Sequence, residues 1–421
     1  MTDRRQKSQE SGANDGNTPE TIDGLWNFIS SIFAPLKGQE LVSLAAARGR
    51  VLAGDVLSAI DVPRYRNAAM DGFAISGGII SAGQPWRLPV TGRSEAGDPA
   101  ANIETGSAIR TFTGAALPPN ALAVVRHEDC QLSGEYVCGS AWPVEGHNIR
   151  EAGEDFGASD IILSAGTVLE ARHLAAAAAG GRAFLRVHTK VRVGIVVTGK
   201  ELVTPGAALG PGQIYESNGT MSRASMEALG GEVTTVAIVG DDKCRLTRVL
   251  DDAAATSDLI LVSGGMASSE TDYSREAVMA IGGEIYQHRL RLRPGKPALF
   301  GRIHGTAIVG LPGNPFAAFI ALKLFAEPIH RRLSGRTDLK PHIDSAVADF
   351  SYARKKSTDE FLPARIVGND DGRRRVTVLG RGASAKLLPL VNAEGLCHVT
   401  GGQLDLRPGS SVEWWPLSAG P

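Results

Sequence analysis

Residues 191–201 read VRVGIVVTGKE, an apolar run that stops on a threonine, a glycine, a lysine and a glutamate. A helical pattern follows at 217–231 (SNGTMSRASMEALGG), with Asn218 or Ser217 placed to cap it and a glycine pair to stop it. The alternation then repeats: EVTTVAIV at 232–239, DKCRLTRVLDDAAAT at 242–256, DLILV at 258–262, SSETDYSREAVMAIGG at 268–283, TAIVGL at 306–311 and NPFAAFIALKLFAEPI at 314–329. Apolar strands separated by helices predict a mainly parallel sheet with both faces covered.

In such a sheet the ligand crevice lies at the carboxyl ends of the strands. Those ends read Thr198-Gly199-Lys200-Glu201, Gly240-Asp241-Asp242, Ser263-Gly264-Gly265 and Leu311-Pro312-Gly313-Asn314-Pro315. Each sets glycine beside a hydroxyl, carboxylate or amide before a helix, so backbone N–H groups and a helix N-terminus can meet an anion. A glycine-rich turn that merely closes a loop explains any one of them. Four in one sheet, two with carboxylates, favour a phosphate-bearing ligand.

Composition narrows the classes. The chain has 421 residues, a prior of about three domains. Its 44 basic and 45 acidic residues give a net charge of −1, so no global field recruits nucleic acid or an anionic membrane. Glycine is high, 50 residues or about 12% against a usual share of roughly 7%. It has no G-x-y period, which excludes collagen. Four cysteines without a CxxC pair argue against a disulfide framework or structural zinc and suit a reducing cytoplasm. No signal peptide and no apolar run of about 18 residues is present, so a cytoplasmic protein without a membrane span is expected.

Outward from the α/β segment, residues 1–18 read as a disordered tail. Residues 21–33 (TIDGLWNFISSIF) read as a helix with Leu25, Phe28, Ile29 and Ile32 on one face, and 41–57 (LVSLAAARGRVLAGDVL) as a helix followed by a strand. Residues 57–152 alternate short β-branched stretches with turn clusters, a β-rich inserted domain. Segments 19–56 and 153–187 would form an N-terminal helix and linking domain, 188–334 the α/β domain, and 335–421 a small β-barrel-like domain. The fold class is therefore multidomain α/β plus β.

Three further motifs were weighed. Gly380 to Ala385 fits GxGxxA but lacks a following helix pattern, so it is no dinucleotide site. His127-Glu128-Asp129 lacks metal-ligand spacing and reads as a solvated turn. The tract Arg289 to Lys296 alternates basic and apolar residues. On a strand that puts three arginines on one face, either a solvated edge or an anion-binding wall.

In order along the chain, DVPRYRNAAMDGFA (61–74), TFTGAALP (111–118), Asn148-Ile149-Arg150 with Gly153-Glu154-Asp155, GQIYESN (212–218), PGKP (294–297) and GLPGNP (310–315) together resemble the MoeA family of molybdopterin molybdenumtransferases, to which the gephyrin C-terminal domain is related. The likeness runs from about Thr21 to the C-terminus. It implies a homodimer with a MogA-like α/β domain. The implied substrates are adenylylated molybdopterin and molybdate, with Mg2+ as the cation and AMP and molybdenum cofactor as products. The implied partners are a MogA-like molybdopterin adenylyltransferase and molybdoenzyme acceptors, with no nucleic acid or membrane. Carried over by motif, Glu201, Asp241 or Asp242, and Asp272 would flank metal and pyrophosphate. Asp71 and Asp155 would come from the partner side of a dimer cleft. Thr113 would bind substrate, as would Arg289, Arg293 and Lys296 through anionic groups. Ser263, Gly264, Gly265, Pro312, Gly313, Asn314 and Pro315 would shape the pterin and phosphate cradle.

The chain departs from that pattern. Where the family has an acid, Lys200 stands. The loop after Ser263-Gly264-Gly265 continues Met266-Ala267-Ser268-Ser269-Glu270-Thr271-Asp272, losing one hydroxyl and one glycine. Ala317 replaces a serine, and Gly382 to Leu388 (GASAKLL) stands for GSGMLSS. A buried charge reversal in a metal–phosphate site costs several kcal/mol unless paired, whereas Lys200 could also pair with a phosphate directly. Two other readings compete: a paralogue that holds the pterin or its nucleotide as carrier or scaffold, and a hydrolase of another nucleotide.

Overall fold

The computed structural model describes residues 18–77, 83–265, 273–286, 288–295, 298–354, 358–370, 372–380 and 384–417. The expected tail lies outside them, but for Thr18. Two compact units emerge: the first is Met1–Gln39, Gly49–Val51 and His188–Pro421, and the second Glu40–Arg48 with Leu52–Val187.

The first unit contains the α/β sheet. Its strands are β1 (Arg192–Thr198), β2 (Glu232–Val239), β3 (Leu259–Ser263), β4 (Glu284–Tyr286), β6 (Leu299–Ile303) and β7 (Thr306–Leu311), with β5 (Leu292–Arg293) lying outside it. The order is β2-β1-β3-β7-β6-β4. The first four are mutually parallel, and β6 and β4 form an antiparallel edge. Alternation sorts the side chains. Val193, Ile195, Val197, Leu259, Leu261, Ala307 and Val309 face one core, whereas Val196, Ile260, Val262 and Ile308 face the other.

Helices cover both faces. Leu246 and Leu250 of α3 (Lys243–Thr256) and Ala277 and Val278 of α4 (Ser274–Ala280) fill the second core. The first core receives Met226 of α2 (Asn218–Ala228), Phe316 and Ile320 of α5 (Pro315–Ala321), and Ile329 of α6 (Glu327–Leu333). A π-helical turn, Leu322–Ala326, joins α5 to α6. The N-terminal α1 (Ile22–Ile32) packs here too, capped by Thr21, whose hydroxyl accepts the Gly24 N–H at 3.0 Å. Leu25 and Ile29 are fully buried, with Phe28 and Ile32 against them.

The remaining strands of this unit are β8 (Asp344–Ala348), β9 (Asp359–Asp370), β10 (Arg373–Val378), β11 (Gly395–Val399) and β12 (Ser411–Pro416). They run β9-β10-β8-β12-β11, and β11 pairs back onto β9, which closes a five-stranded barrel without a free edge. β5 pairs with β9, so the basic tract is stitched to this barrel and not to the α/β sheet.

The second unit holds a six-stranded sheet, in order Ala121–Arg126, Gly72–Ser76, Ala108–Thr111, Trp86–Ser94, Tyr136–Gly139 and Cys130–Ser133. Two expectations change. The helix read at 41–47 is instead a strand, Gln39–Ser43, with one 3-10 turn, Leu44–Ala46. The strand pairs with Phe184–His188, so long-range pairing overrides the helical propensity of the alanines. Segment 19–56 is also divided, with α1 in the first unit and 40–48 and 52–56 in the second.

His330 on α6 is 1% exposed, and neither ring nitrogen has a hydrogen-bond partner among the described residues. Burial, with Arg336 and Arg331 nearby, pushes its imidazole down to about 4. The folded state therefore resists a proton that the unfolded chain accepts near pH 6.5. Its stabilising contribution is full above that pH and is lost as pH falls toward about 4, on the order of 3 kcal/mol in total. His330→Leu should lose less stability than the wild type between pH 7 and 4, measured as the shift in urea midpoint; equal losses would remove His330 from the acid response.

Candidate active site

Parallel register sets Thr198 beside Val239, and Ser263 beside Val197 and Leu311, so the four loops leave one edge of the sheet. Backbone bonds continue past the strands: the Gly199 N–H donates to the Val239 carbonyl at 3.1 Å, and the Gly264 N–H to the Leu311 carbonyl at 3.2 Å. Gly264 has φ +90°, and a Cβ there would run into the Thr198 carbonyl, so glycine is what lets β1 and β3 end side by side. Gly265, φ +64°, accepts the Ser274 N–H at 3.3 Å, and the Ser274 hydroxyl donates to the Gly264 carbonyl at 3.2 Å. The start of α4 thus pins the Ser263-Gly264-Gly265 turn.

The acidic candidates stand differently. Glu201 is half-buried and folds its carboxylate back over Gly199, 2.7 Å from where a Cβ would sit. Asp241 and Asp242 are exposed, and Asp242 caps α3, its Oδ1 accepting the Arg245 N–H at 3.0 Å. Lys200 is exposed beside them. Asp272 and Lys296 lie outside the described residues. Among the described residues, no three His, Cys, Asp or Glu side chains gather as a metal cage. Mg2+ needs only one or two carboxylates with phosphate oxygens and water, and the all-oxygen donors Glu201 and Asp241 fit that chemistry.

Pro312, Gly313, Asn314 and Pro315 form the turn into α5, with Gly313 and Asn314 exposed. The Asn314 amide donates to the Ser384 hydroxyl at 3.2 Å, and the Phe316 N–H to the Ser384 carbonyl at 3.0 Å, so the segment beginning at Ser384 sits on this turn. Behind it, Asn218 is 8% exposed. Its Nδ2 donates to the Ser263 hydroxyl at 2.8 Å and the Gly313 carbonyl at 2.9 Å, with the Pro312 carbonyl at 3.4 Å. The sequence offers Asn218 or Ser217 as the helix cap. The cap position is Ser217, and Asn218 is instead a brace between two loops. Glu216 is likewise buried, its carboxylate accepting the N–H groups of Gly219 and Thr220 at the start of α2. Neither role shows in a propensity reading, although an acid three residues ahead of Gly219 is a recognisable cap spacing.

The basic tract keeps its alternation, with Leu290 and Leu292 buried and Arg289, Arg291 and Arg293 exposed. Only Leu292–Arg293 is strand, however. Two of the arginines meet carboxylates of the chain itself: Arg289 lies 3.5 Å from Glu20, and Arg293 lies 3.4 Å from the buried Glu360. The Tyr352 hydroxyl also donates to Glu360; burial and that bond push its phenol up to about 12.

In the second unit Asp71 and Thr113 are brought together. The Thr113 N–H and hydroxyl each donate to Asp71 Oδ1 at 2.8 Å, which holds this exposed carboxyl below its ordinary range. Asp155 is exposed, its N–H donating to the Val62 carbonyl at 3.0 Å. His127-Glu128-Asp129 is one exposed 3-10 turn, with Arg126 paired to Asp129 at 2.7 Å.

A parallel sheet with four glycine-bearing loops on its carboxyl edge, beside a closed barrel, defines a multidomain α/β-plus-β protein. The chain matches the family models for the MoeA N-terminal region (domain I and II) over residues 21–181, the probable molybdopterin binding domain over 194–332, and the MoeA C-terminal region (domain IV) over 345–417. It is 33% identical over 387 residues to molybdopterin molybdenumtransferase 2 of Mycobacterium tuberculosis, covering 90% of this chain and 95% of that one. The Haemophilus influenzae molybdopterin molybdenumtransferase is 31% identical over 345 residues, covering 81% and 84%. The crystal structure of the MoeA protein from Pyrococcus horikoshii superposes with a TM-score of 0.77 at 27% identity, covering 96% of this chain and all (100%) of that one. The chain belongs to the MoeA family, the molybdopterin molybdenumtransferases.

Glu216→Ala should leave two first-turn N–H groups of α2 unsatisfied and lower stability by about 1–2 kcal/mol in chemical denaturation. A change within error would show that water replaces the carboxylate.

Proposed function

We propose that this chain inserts molybdate into adenylylated molybdopterin at the carboxyl edge of the α/β sheet, releasing AMP and molybdenum cofactor. Membership of the molybdopterin molybdenumtransferases places it in molybdenum cofactor biosynthesis. The observation that carries the site assignment is the convergence of the Thr198–Glu201, Gly240–Asp242, Ser263–Gly265 and Pro312–Pro315 loops on one edge. Glycine at Gly265 and Gly313 leaves backbone amides approachable, as a phosphate-bearing pterin requires, while the Gly199 and Gly264 amides hold the neighbouring strand ends. Glu201 and Asp241 would hold Mg2+, with Asp272 a further candidate. When bound, the cation supplies positive charge for the departing phosphate. Exposed Lys200 is free to approach a substrate phosphate as a point charge. Arg289 and Arg293 would hold anionic groups by exchanging their present carboxylate partners for substrate oxygens, and Lys296 would serve with them.

The protein acts in the cytoplasm as a homodimer in this reading, taking substrate from a MogA-like adenylyltransferase and serving molybdoenzyme acceptors. Asp71, Thr113 and Asp155 belong to the half of the cleft that a second copy presents. The two bonds from Thr113 fix the direction of the Asp71 carboxylate, as a group that reaches into such a cleft requires.

Purified chain given adenylylated molybdopterin, molybdate and Mg2+ should release AMP, followed by chromatography; binding without AMP would leave a carrier. Glu201→Gln should lower kcat by roughly a hundredfold or more with KM little changed. Mixing Asp71→Asn and Glu201→Gln chains should restore about a quarter of wild-type activity, because half the dimers then carry one intact site. No recovery on mixing would place Asp71 in the same subunit's site or outside it.

A further inference from the structure

We propose that Asn218 is a positioning residue that turns the Gly313 and Asn314 amides of the Pro312–Asn314 loop outward as paired donors for a tetrahedral oxyanion. The proposal rests on the anion-binding reading of this edge and adds what organises it. The orientation of the Asn218 amide is settled by its neighbours: Nδ2 faces the Gly313 carbonyl at 2.9 Å and the Pro312 carbonyl at 3.4 Å. The flipped amide would set Oδ1 against two carbonyl oxygens.

Two consequences follow from peptide planarity. A trans peptide points its N–H opposite to its C=O. Holding the Pro312 carbonyl toward Asn218 therefore turns the Gly313 N–H away from α2, and holding the Gly313 carbonyl does the same for the Asn314 N–H. Both residues are exposed, and a Cβ on Gly313 would meet nothing within 4 Å, so the far side of the loop is open. Neither N–H has a backbone acceptor among the described residues, and two successive outward amides make an anion-binding concavity.

The same amide also holds Ser263 on the near side of the loop. Ser263 Oγ accepts from Nδ2 at 2.8 Å, which occupies a lone pair and leaves the hydroxyl proton to point elsewhere. Among the described residues nothing accepts that proton. Among the described residues Asn218 Oδ1 is buried without a partner, so the brace is held through its NH2 group. An amide so placed serves the loops it bridges and does not touch the ligand.

The test is anion binding to the full chain, read by calorimetry and by hydrogen exchange over residues 310–318, with molybdate and inorganic phosphate as separate probes. In the wild type, at least one of the anions should slow exchange at Gly313 and Asn314. Whichever acts more strongly says whether the donors meet the metal oxyanion or a substrate phosphate. Asn218→Ala and Asn218→Asp should weaken that affinity roughly tenfold or more and lose the protection. Wild-type affinity in either Asn218 variant would overturn the proposal. If both variants fail to fold, the wild-type exchange decides: no protection at Gly313 and Asn314 by either anion overturns it. Protection without AMP release in the turnover assay would instead sink the enzymatic reading and leave this one standing.

Discussion

The arrangement of the candidate site depends on the parallel register of β2, β1, β3 and β7. Four neighbouring strands running the same way must end on the same edge, and their loops can then face one ligand. Register decides which residues meet there. Thr198 stands beside Val239 and Ser263 beside Leu311, and the bonds from Gly199 and Gly264 to the Val239 and Leu311 carbonyls hold the first loop residues in line. A slip of one residue would send Ser263 to the other face of the sheet. Glycine at 264 is part of the same constraint, because a side chain there would push β1 and β3 apart at their ends.

Around that edge the protein uses polar side chains as braces. Glu216 satisfies the first turn of α2, Asn218 ties α2 to the loops after β3 and β7, Ser274 ties α4 to the Gly264-Gly265 turn, and Ser384 seats on the turn into α5. Each replaces a water partner by a fixed one. The net gain of any single bond is about 1 kcal/mol, whereas an unmade one leaves a buried group unsatisfied. Their effect is therefore on loop conformation more than on total stability. The carboxylates follow a related division: Asp242 is committed to a helix cap and Glu201 lies over Gly199, while Asp241 remains on the surface.

The barrel contributes through long-range contacts. β5, which carries Arg293, leaves the α/β segment to pair with β9, and the Arg293 guanidinium lies 3.4 Å from the buried Glu360 on that strand. A cation so placed has a partner in the free protein, so an anionic ligand must compete with Glu360 for it. The exposed pair of Arg289 with Glu20 is weaker, as solvent-exposed ion pairs contribute roughly 0–1 kcal/mol.

Much of this was legible in the sequence where the signal is local. The apolar strands, the glycine stops, the helix from Thr21, the alternation of Arg289 to Arg293 and the ordered motifs of the family all depend on residues a few positions apart, and periodicity and turn chemistry report those directly. The strand ends that line the edge were legible for the same reason. Tertiary structure decided the rest. It made a strand of Gln39–Ser43 by pairing it with Phe184–His188, supplied Glu20 and Glu360 to the arginines, and set Asn218 against Gly313, 95 residues away. The sequence by itself determined the strands of the α/β sheet and the glycine-bearing loops at their ends. Which side chains brace those loops, and which charges already have partners, depends on contacts between distant segments, and no local pattern encodes a distance across the fold.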